Sequence, residues 1–122
     1  MEITDDGRLA WSIDRTWKSA FDGFFHMSAH ARNRMFSRGL SPELIADVLT
    51  HGEVFHDRGA LHFRVGRRVT KELEKRGIDG RRLEGFHVIV ADDGLILTVY
   101  RNHHFRRPRK SLRPARSPKY YA

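Results

Sequence analysis

Apolar residues recur at helical spacing between residues 28 and 52, which predicts two short helices in this stretch. Ser28 is placed to cap the first helix, because its hydroxyl can accept a hydrogen bond from an early backbone N–H. Gly39 lies just after this helix, at the position where many helices end with a residue in the left-handed backbone conformation. Ala31 and Met35, four residues apart, form the apolar stripe of this helix. The first helix is therefore expected to bury a narrow face.

The second predicted helix begins at Ser41 and Pro42 and ends at Gly52. Ser41 is a second N-cap, and proline has the fixed φ that suits the first helical position. Glu43 places a carboxylate at the positive end of the helix dipole. The apolar residues of this helix share one face: Leu44, Ile45, Val48 and Leu49. We expect it to be mainly a core element.

A first hairpin is predicted over residues 53–57 and 61–66, which are joined by Arg58-Gly59-Ala60. The apolar face of its second strand consists of Leu61, Phe63 and Val65. His62 and Arg64 alternate with them and occupy the opposite face. Arg64 could reach a ligand if that polar face borders a cleft, or it could simply be solvated.

The second hairpin is predicted over residues 86–91 and 95–101, on either side of the turn Asp92-Asp93-Gly94. Strict alternation divides its last strand into two faces, one with Leu95, Leu97 and Val99 and the other with Ile96, Thr98 and Tyr100. Because both strands are rich in apolar residues on both faces, we expect the pair to be central in the sheet. The side chains of Thr98 and Tyr100 are then expected on the same face of the sheet.

Residues 1–25 form an aromatic N-terminal extension. Its large rings are Trp11, Trp17, Phe21, Phe24 and Phe25. We expect an ordered region with a short strand over residues 9–13 and a short helix between Asp14 and Gly23. The rings suit either a base-stacking platform or an accessory layer that covers the core, and the accessory layer is the more common use.

Residues 67–85 are a charged segment that is predicted to form a helical insertion between the hairpins. Val69 and Leu73 supply its apolar side, and Gly77 ends the helix. Glu72 lies three residues from Lys75 and four from Arg76, and we expect an ordinary surface pair with one of them rather than catalytic groups.

Positive charge is concentrated at the end of the chain. The 122 residues carry a formal net charge of +8, from 23 Lys and Arg against 15 Asp and Glu. Seven cations and no acid lie in residues 103–122, which leaves 16 basic against 15 acidic residues in 1–102. The seven are Arg106, Arg107, Arg109, Lys110, Arg113, Arg116 and Lys119. We expect residues 103–122 to be a mobile basic tail that attracts RNA or DNA; the alternatives are a solubility tail or a segment that docks on an acidic partner.

The sequence contains no cysteine, so the eight histidines are the only soft metal ligands. Their spacing forms no zinc motif, and no phosphate-binding or dinucleotide fingerprint is present; we expect neither a metal nor another cofactor. No apolar run is long enough for a membrane span, and no signal-peptide core follows Met1. A soluble cytoplasmic protein without a membrane partner is expected.

The order of helices and hairpins, with the segments SAHARNRMFSRGLSPELIADVLTHGEV and HVIVADDGLILTVYRN, resembles the domain-of-unknown-function family numbered 4258. The residues that carry the resemblance are His30, Ala31, Arg34, Met35, the run Arg38-Gly39-Leu40-Ser41-Pro42-Glu43, Gly52 and Thr98-Val99-Tyr100. It covers residues 26–102, the main domain. This family looks like a member of the fold group that contains barnase, EndoU-type nucleases, colicin-type tRNases and RelE-type toxins. The resemblance implies an α+β fold in which two N-terminal helices pack on a four-stranded antiparallel sheet.

The resemblance also implies metal-independent cleavage of RNA, often by a toxin that acts on RNA or the ribosome and that an antitoxin or immunity protein would restrain. Such cleavage needs acid/base groups for the ribose 2′-hydroxyl and the leaving oxygen, and cations for the transition state. His30 is the candidate acid/base, since histidine exchanges protons near neutral pH. Arg34 and Arg64 are the candidate phosphate clamp. Thr98 and Tyr100 are candidates for binding phosphate oxygens or orienting His30.

Further contacts to nucleic acid are expected from cations around this site. His30, Arg34 and Arg38 follow one another at intervals of four and share a stripe of the first helix. Arg101 ends the last strand. The remaining nucleic-acid contacts are expected from the tail residues Arg106, Arg107, Arg109, Lys110 and Arg113.

The same residues also fit a non-catalytic module that binds nucleic acid or an acidic partner, or a toxin-like domain that inhibits a protein without cleaving anything. A separate alternative is that these residues are structural: His30 caps or satisfies a backbone carbonyl, Arg34 and Arg38 pair with Glu43 or Asp47, and Tyr100 is a packed aromatic. No Glu or Asp is predicted on the cleft face. The histidine that approaches His30 is left open among His56, His62, His87 and His103.

Overall fold

The computed structural model of the protein describes residues 2–3, 7–15 and 23–102. Within these residues the chain forms three helices and two antiparallel sheets. The elements are β1 Glu2–Ile3, β2 Leu9–Ser12, β3 Phe24–Met27, α1 Ala29–Ser37, α2 Pro42–His51, β4 Glu53–Asp57, β5 Ala60–Arg64, α3 Arg67–Lys75, β6 Phe86–Ala91 and β7 Ile96–Arg101. The mixed α+β class and the four-stranded antiparallel sheet are confirmed. The predicted helix after Asp14 and the basic tail of residues 103–122 lie outside the described residues.

Helices α1 and α2 begin and end where their capping residues predict. The Ser28 hydroxyl accepts a hydrogen bond from the Ala31 N–H at 3.1 Å. The Ser41 hydroxyl accepts from the Leu44 N–H at the same distance, with Pro42 as the first residue of α2. Each bond satisfies a backbone donor that the first helical turn cannot pair internally. Local sequence therefore fixes where both helices start.

The larger sheet is a meander in which β4, β5, β6 and β7 follow one another in space as in sequence. Arg58 and Gly59 form the β4–β5 turn with φ of 54° and 78°. Positive φ at both central residues is the geometry that matches the twist of a two-residue hairpin. The predicted strands 53–57 and 86–91 are confirmed, whereas β5 begins at Ala60, one residue before the predicted start.

Strand β7 departs from the sequence prediction in two respects. It is the last strand in the hydrogen-bonded order, so the prediction that both strands of the second hairpin are central is wrong for β7. A bulge between Ile89 and Val90 also shifts the register, and strict alternation along β7 is wrong. Ile96 and Val99 are both buried, while Leu97 is 53% exposed. The extra residue of a bulge reverses which face the preceding side chains occupy.

The hydrophobic core joins α2 to the sheet. Ile45, Val48 and Leu49 of α2 are fully buried, and α2 contacts β5 and β6. The same cluster includes the sheet residues Phe63, Phe86, Val88, Val90, Ile96 and Val99, and also Val65, which directly follows β5. Leu83 and Leu73, before β6 and in α3, extend the cluster. The prediction that α2 is mainly a core element is confirmed.

The N-terminal segment packs into this core and holds both ends of α2. Trp11 is 1% exposed, and its indole N–H donates to the Pro42 carbonyl at 3.1 Å. The Arg15 guanidinium donates to the Leu49 and Gly52 carbonyls at 2.9 and 3.0 Å, at the negative end of the helix dipole. Phe25 is fully buried. The base-stacking interpretation is wrong for Trp11 and Phe25, and the accessory layer is confirmed for them; Trp17 and Phe21 lie outside the described residues.

Helix α3 lies between β5 and β6, as predicted for a helical insertion. Gly77 follows it with φ of 80°, and Leu73 is its buried apolar residue. Lys75 and Glu72 are exposed and 3.7 Å apart, an ordinary surface ion pair as predicted. None of the helices in the described part of the chain is long and apolar enough to cross a membrane.

Candidate nucleic-acid interface

A cavity of about 360 Å³ lies between helix α1 and strand β7. We call it the α1–β7 groove. It is lined by Arg8, Met27, Ser28, His30, Ala31, Arg34, Met35, Arg38 and the five residues Leu95, Ile96, Leu97, Thr98 and Val99. The floor is largely apolar, and the polar groups come mainly from α1. The groove exists because β7 is the edge strand of the sheet, so its outer side is not covered by another strand of that sheet in the described residues.

The groove carries positive charge, and its described lining contains no carboxylate. His30, Arg34 and Arg38 are exposed on the predicted stripe of α1 and all line the groove. Arg8, from the segment before β2, joins them. Arg8 was missed from sequence, because its position next to α1 depends on how the two segments pack rather than on any local pattern. This lining suits an anion and is poorly suited to a metal cation.

Arg34 and Arg38 do not form the ion pairs with Glu43 or Asp47 that a purely structural role predicts. Asp47 instead accepts a hydrogen bond from Arg82 at 2.7 Å. Within the described ranges, neither Arg34 nor Arg38 lies in an ion pair. A ligand can therefore reach their guanidinium groups without displacing a carboxylate of the described residues.

The predicted site residues are divided between the groove and one face of the sheet. His30, Arg34, Arg38 and Thr98 line the groove, but Arg64 and Tyr100 do not. The strand register places Arg64 and Tyr100 in a row that crosses the sheet in the order Glu53, Arg64, His87 and Tyr100. Thr98 shares the face of Tyr100 by alternation and also borders the groove, so it lies where the two regions meet.

Arg64 is held by an acidic residue of its own sheet face. Its guanidinium lies 3.4 Å from the Glu53 carboxylate, which also accepts from Arg68 at 2.7 Å. Glu53 therefore accompanies Arg64 on this face of the sheet, which is separate from the described lining of the α1–β7 groove. Glu53 is the first residue of β4, and its alignment with Arg64 follows from pairing between strands, which the separate strand patterns did not reveal.

His87 is the histidine of this row, and it stacks on Tyr100. The two rings lie 4.6 Å apart between centroids with 4° between their planes. His87 is 1% exposed. Burial, and then the positive charges of Arg64 and His62, lower the pKa of His87 to about 4. The ring is therefore neutral at pH 7.

Arg101 does not line the groove. Its guanidinium donates to the Glu84 and Arg81 carbonyls at 3.0 and 3.3 Å and lies 4.8 Å from the centre of the Phe86 ring. These contacts tie the end of β7 to the segment before β6. The predicted role of Arg101 in binding nucleic acid stays a prediction. The predicted contacts of Arg106, Arg107, Arg109, Lys110 and Arg113 lie outside the described residues.

Fold and groove together define a small α+β protein with a cationic surface groove. The chain matches the family described as domain of unknown function, DUF4258, over residues 27–101. This match covers more than half of the chain, and the protein belongs to that family. The matched range contains both walls of the α1–β7 groove apart from Arg8. No curated protein and no solved structure matches the chain.

Proposed function

We propose that the protein binds RNA through the α1–β7 groove and that His30 acts there as the acid/base in metal-independent cleavage. The observation that carries the proposal is the groove itself: an exposed imidazole and three arginines border a cavity whose described lining has no carboxylate. A phosphodiester is the ligand that this combination suits, because guanidinium groups bind phosphate oxygens with paired hydrogen bonds. The packing of both α1 and α2 over the sheet, as in the RNA-cleaving fold group, is part of the same proposal.

The chemistry needs one proton to be moved and negative charge to be stabilised. The ribose 2′-oxygen attacks the adjacent phosphorus while neutral His30 accepts the 2′-hydroxyl proton. The bond from phosphorus to the 5′-oxygen then breaks, and the protonated imidazole returns the proton to that oxygen. The products are a 2′,3′-cyclic phosphate and a free 5′-hydroxyl. Arg34, Arg38 and Arg8 stabilise the charge that develops on the phosphorus oxygens.

A second candidate is a module that binds RNA, the ribosome or an acidic protein without catalysis. It is favoured by the composition of the groove, because His30 is the one histidine of the described lining and no Asp or Glu accompanies it as a second acid/base group. An acidic antitoxin or immunity protein that covers the groove is the protein partner that the toxin interpretation implies. A cytoplasmic location suits both candidates, and neither needs a cofactor.

Purified full-length protein incubated with labelled RNA in EDTA tests the catalytic proposal. We expect His30→Ala to lower the cleavage rate by about 10²- to 10⁴-fold, the usual contribution of a general acid/base. Binding should be retained, because the groove arginines remain. His56→Ala is the matched control, since His56 lies on β4 and is not part of the groove lining.

Equal cleavage by wild type and His30→Ala would contradict the catalytic role. Binding without cleavage by either protein would leave the non-catalytic module as the function. Absence of RNA binding by wild type would contradict the catalytic role and would leave only the ribosome or an acidic protein as the ligand of a non-catalytic module.

A further inference from the structure

The ring of Tyr100 has one covered face and one open face. Its inner face lies parallel to His87 at 4.6 Å, close to the spacing between neighbouring strands. The rings are thus stacked in the direction that runs across the sheet. Because β7 is the edge strand, no strand of this sheet follows Tyr100 in that direction within the described residues. Tyr100 is 37% exposed. Since His87 covers one face of the ring, we assign the exposure of the ring to its opposite face and rim.

The open face of Tyr100 lies next to the α1–β7 groove. Thr98 is two residues earlier on the same side of β7, and both Thr98 and Val99 line the groove. Two residues of a strand span about 6.6 Å, so the ring and the groove are about one nucleotide apart. A nucleotide whose phosphate lies at the Thr98 side of the groove can therefore place its base beside Tyr100.

The rest of the row holds the ring in position. His87 is buried beneath Tyr100 and, being neutral at pH 7, adds no charge to the stack. Arg64 lies beside His87 in the register and is held by Glu53 at 3.4 Å. Burial raises the pKa of the Tyr100 hydroxyl, so the phenol keeps its proton and stays uncharged. A nucleobase that approaches Tyr100 therefore meets an uncharged aromatic ring that is held in place by the rest of the row.

We infer that the open face of Tyr100 is a stacking subsite for a nucleobase of single-stranded RNA, next to the phosphate site in the α1–β7 groove. This inference rests on the proposed function, since the phosphate site positions the base. Paired RNA keeps its bases inside the helix, and only an unpaired base is free to leave its neighbours and stack on a side chain. Stacking uses the aromatic face that every base has, so the subsite tolerates all four bases.

Binding of two charge-matched ligands tests this inference in the full-length protein. One is a hexamer of 2′-O-methyladenosine nucleotides, which lacks the 2′-hydroxyl that cleavage requires, and the other is a hexamer of abasic 2′-O-methylribose phosphates with the same number of charges. Wild type is expected to bind the adenosine hexamer more tightly. Tyr100→Leu should weaken binding of the adenosine hexamer by about 5- to 150-fold, the effect of losing one stacked base. Its affinity for the abasic hexamer should not change.

Tyr100→Phe is the matched control, because it keeps the ring and removes only the hydroxyl. It should bind both hexamers as wild type does, and thermal unfolding of both variants establishes that they are folded. A second readout uses 2-aminopurine in place of adenine. Stacking on Tyr100 should change its fluorescence with wild type and Tyr100→Phe, and the change should be lost with Tyr100→Leu.

The outcomes separate this inference from the proposed function. If wild type binds RNA, depends on Arg34 and Arg38, and yet Tyr100→Leu binds the adenosine hexamer as wild type does, the stacking subsite is overturned while the phosphate groove stands. If Tyr100→Leu loses affinity for both hexamers equally, Tyr100 acts on the shape of the groove and the subsite is also overturned. If wild type binds neither hexamer, both proposals fail.

Discussion

The imidazole of His87 and the phenol ring of Tyr100 lie face to face at 4.6 Å, on neighbouring strands of the four-stranded sheet. This pairing places a titratable ring at a position that is almost fully buried. The His87 pKa falls to about 4, because burial penalises the charged form and because Arg64 and His62 are close. The lower pKa links the stability of the fold to pH.

The pH dependence of stability is the first prediction. Between pH 6.5 and about 4, unfolded His87 binds a proton that the folded protein excludes, so the unfolding free energy falls as the pH is lowered through this range. The loss from His87 amounts to about 3 kcal/mol at most. Urea denaturation at pH 7 and pH 4.5 measures it. His51 and His62, whose pKa values are also lowered by burial, add a smaller loss of the same sign.

His87→Phe provides the control for this effect, since phenylalanine keeps an aromatic ring against Tyr100 but does not titrate. We expect its unfolding free energy to change less between the two pH values than that of wild type. An equal change in both proteins would show that His87 is not the source. The imidazole titration midpoint, followed by NMR, should lie near pH 4.

The second prediction concerns the salt dependence of RNA binding. Removing Arg34 and Arg38 together by substitution with Ala should lower the slope of log K against log salt by about 1.4, since each phosphate contact with a single strand contributes about 0.7. Affinity at low salt should fall for every RNA sequence alike, because phosphate contacts carry no sequence information. Titrations at several salt concentrations provide the measurement.

The matched control for charge is the double substitution Arg67→Ala with Lys71→Ala. Both side chains are exposed on α3 and outside the groove lining, and their removal changes the net charge by the same amount. The control should leave the slope within experimental error of wild type. If the control lowers the slope as much as the Arg34 and Arg38 substitutions do, RNA binding depends on the net charge of the protein and the groove is not the RNA-binding site.

The third prediction concerns the contact between the N-terminal strand β3 and the turn before β7. Gly94 has φ of 94°, and its carbonyl accepts from the His26 N–H at 3.0 Å. A Cβ at this position would overlap the Phe24 carbonyl oxygen. Gly94→Ala should therefore lower the unfolding free energy through both backbone strain and steric overlap.

Gly59→Ala isolates the backbone part of that effect. Gly59 has a similar φ of 78°, but no atom of the described residues lies within 4 Å of the position that a Cβ would take. Urea denaturation should show that Gly94→Ala costs about 1–3 kcal/mol more than Gly59→Ala. Equal losses of unfolding free energy in the two variants would mean that the contact between β3 and the turn before β7 rearranges around the added Cβ without lowering stability.

Short-range sequence features predicted most of the secondary structure. Ser28 and Ser41 act as N-caps with neighbours three residues away, and Arg58-Gly59 forms its turn from its own backbone preferences. These interactions are complete within a few residues. The α1 stripe of His30, Arg34 and Arg38 was predictable for the same reason, because helical periodicity alone places every fourth residue on one side.

The differences between the predicted and the observed structure arise from pairing between segments that are far apart in the sequence. The edge position of β7 depends on which strands join the sheet, and its bulge depends on how β7 aligns with Val90. His87 was one of several histidines in the sequence, and its burial depends on Tyr100 and the other strands around it. None of these relations can be recognised from the local alternation of apolar and polar residues.

The sequence by itself determined the helices, the hairpins, the apolar face of α2 and the row of cations on α1, because each depends on residues within a few positions of one another. Only the tertiary structure decided that this row borders a groove, that Arg8 joins it, and that Arg64 and Tyr100 belong to a separate row on the sheet. Those facts depend on contacts between residues far apart in the chain. Such contacts form only when the core brings the α1 segment, the N-terminal strands and β7 together.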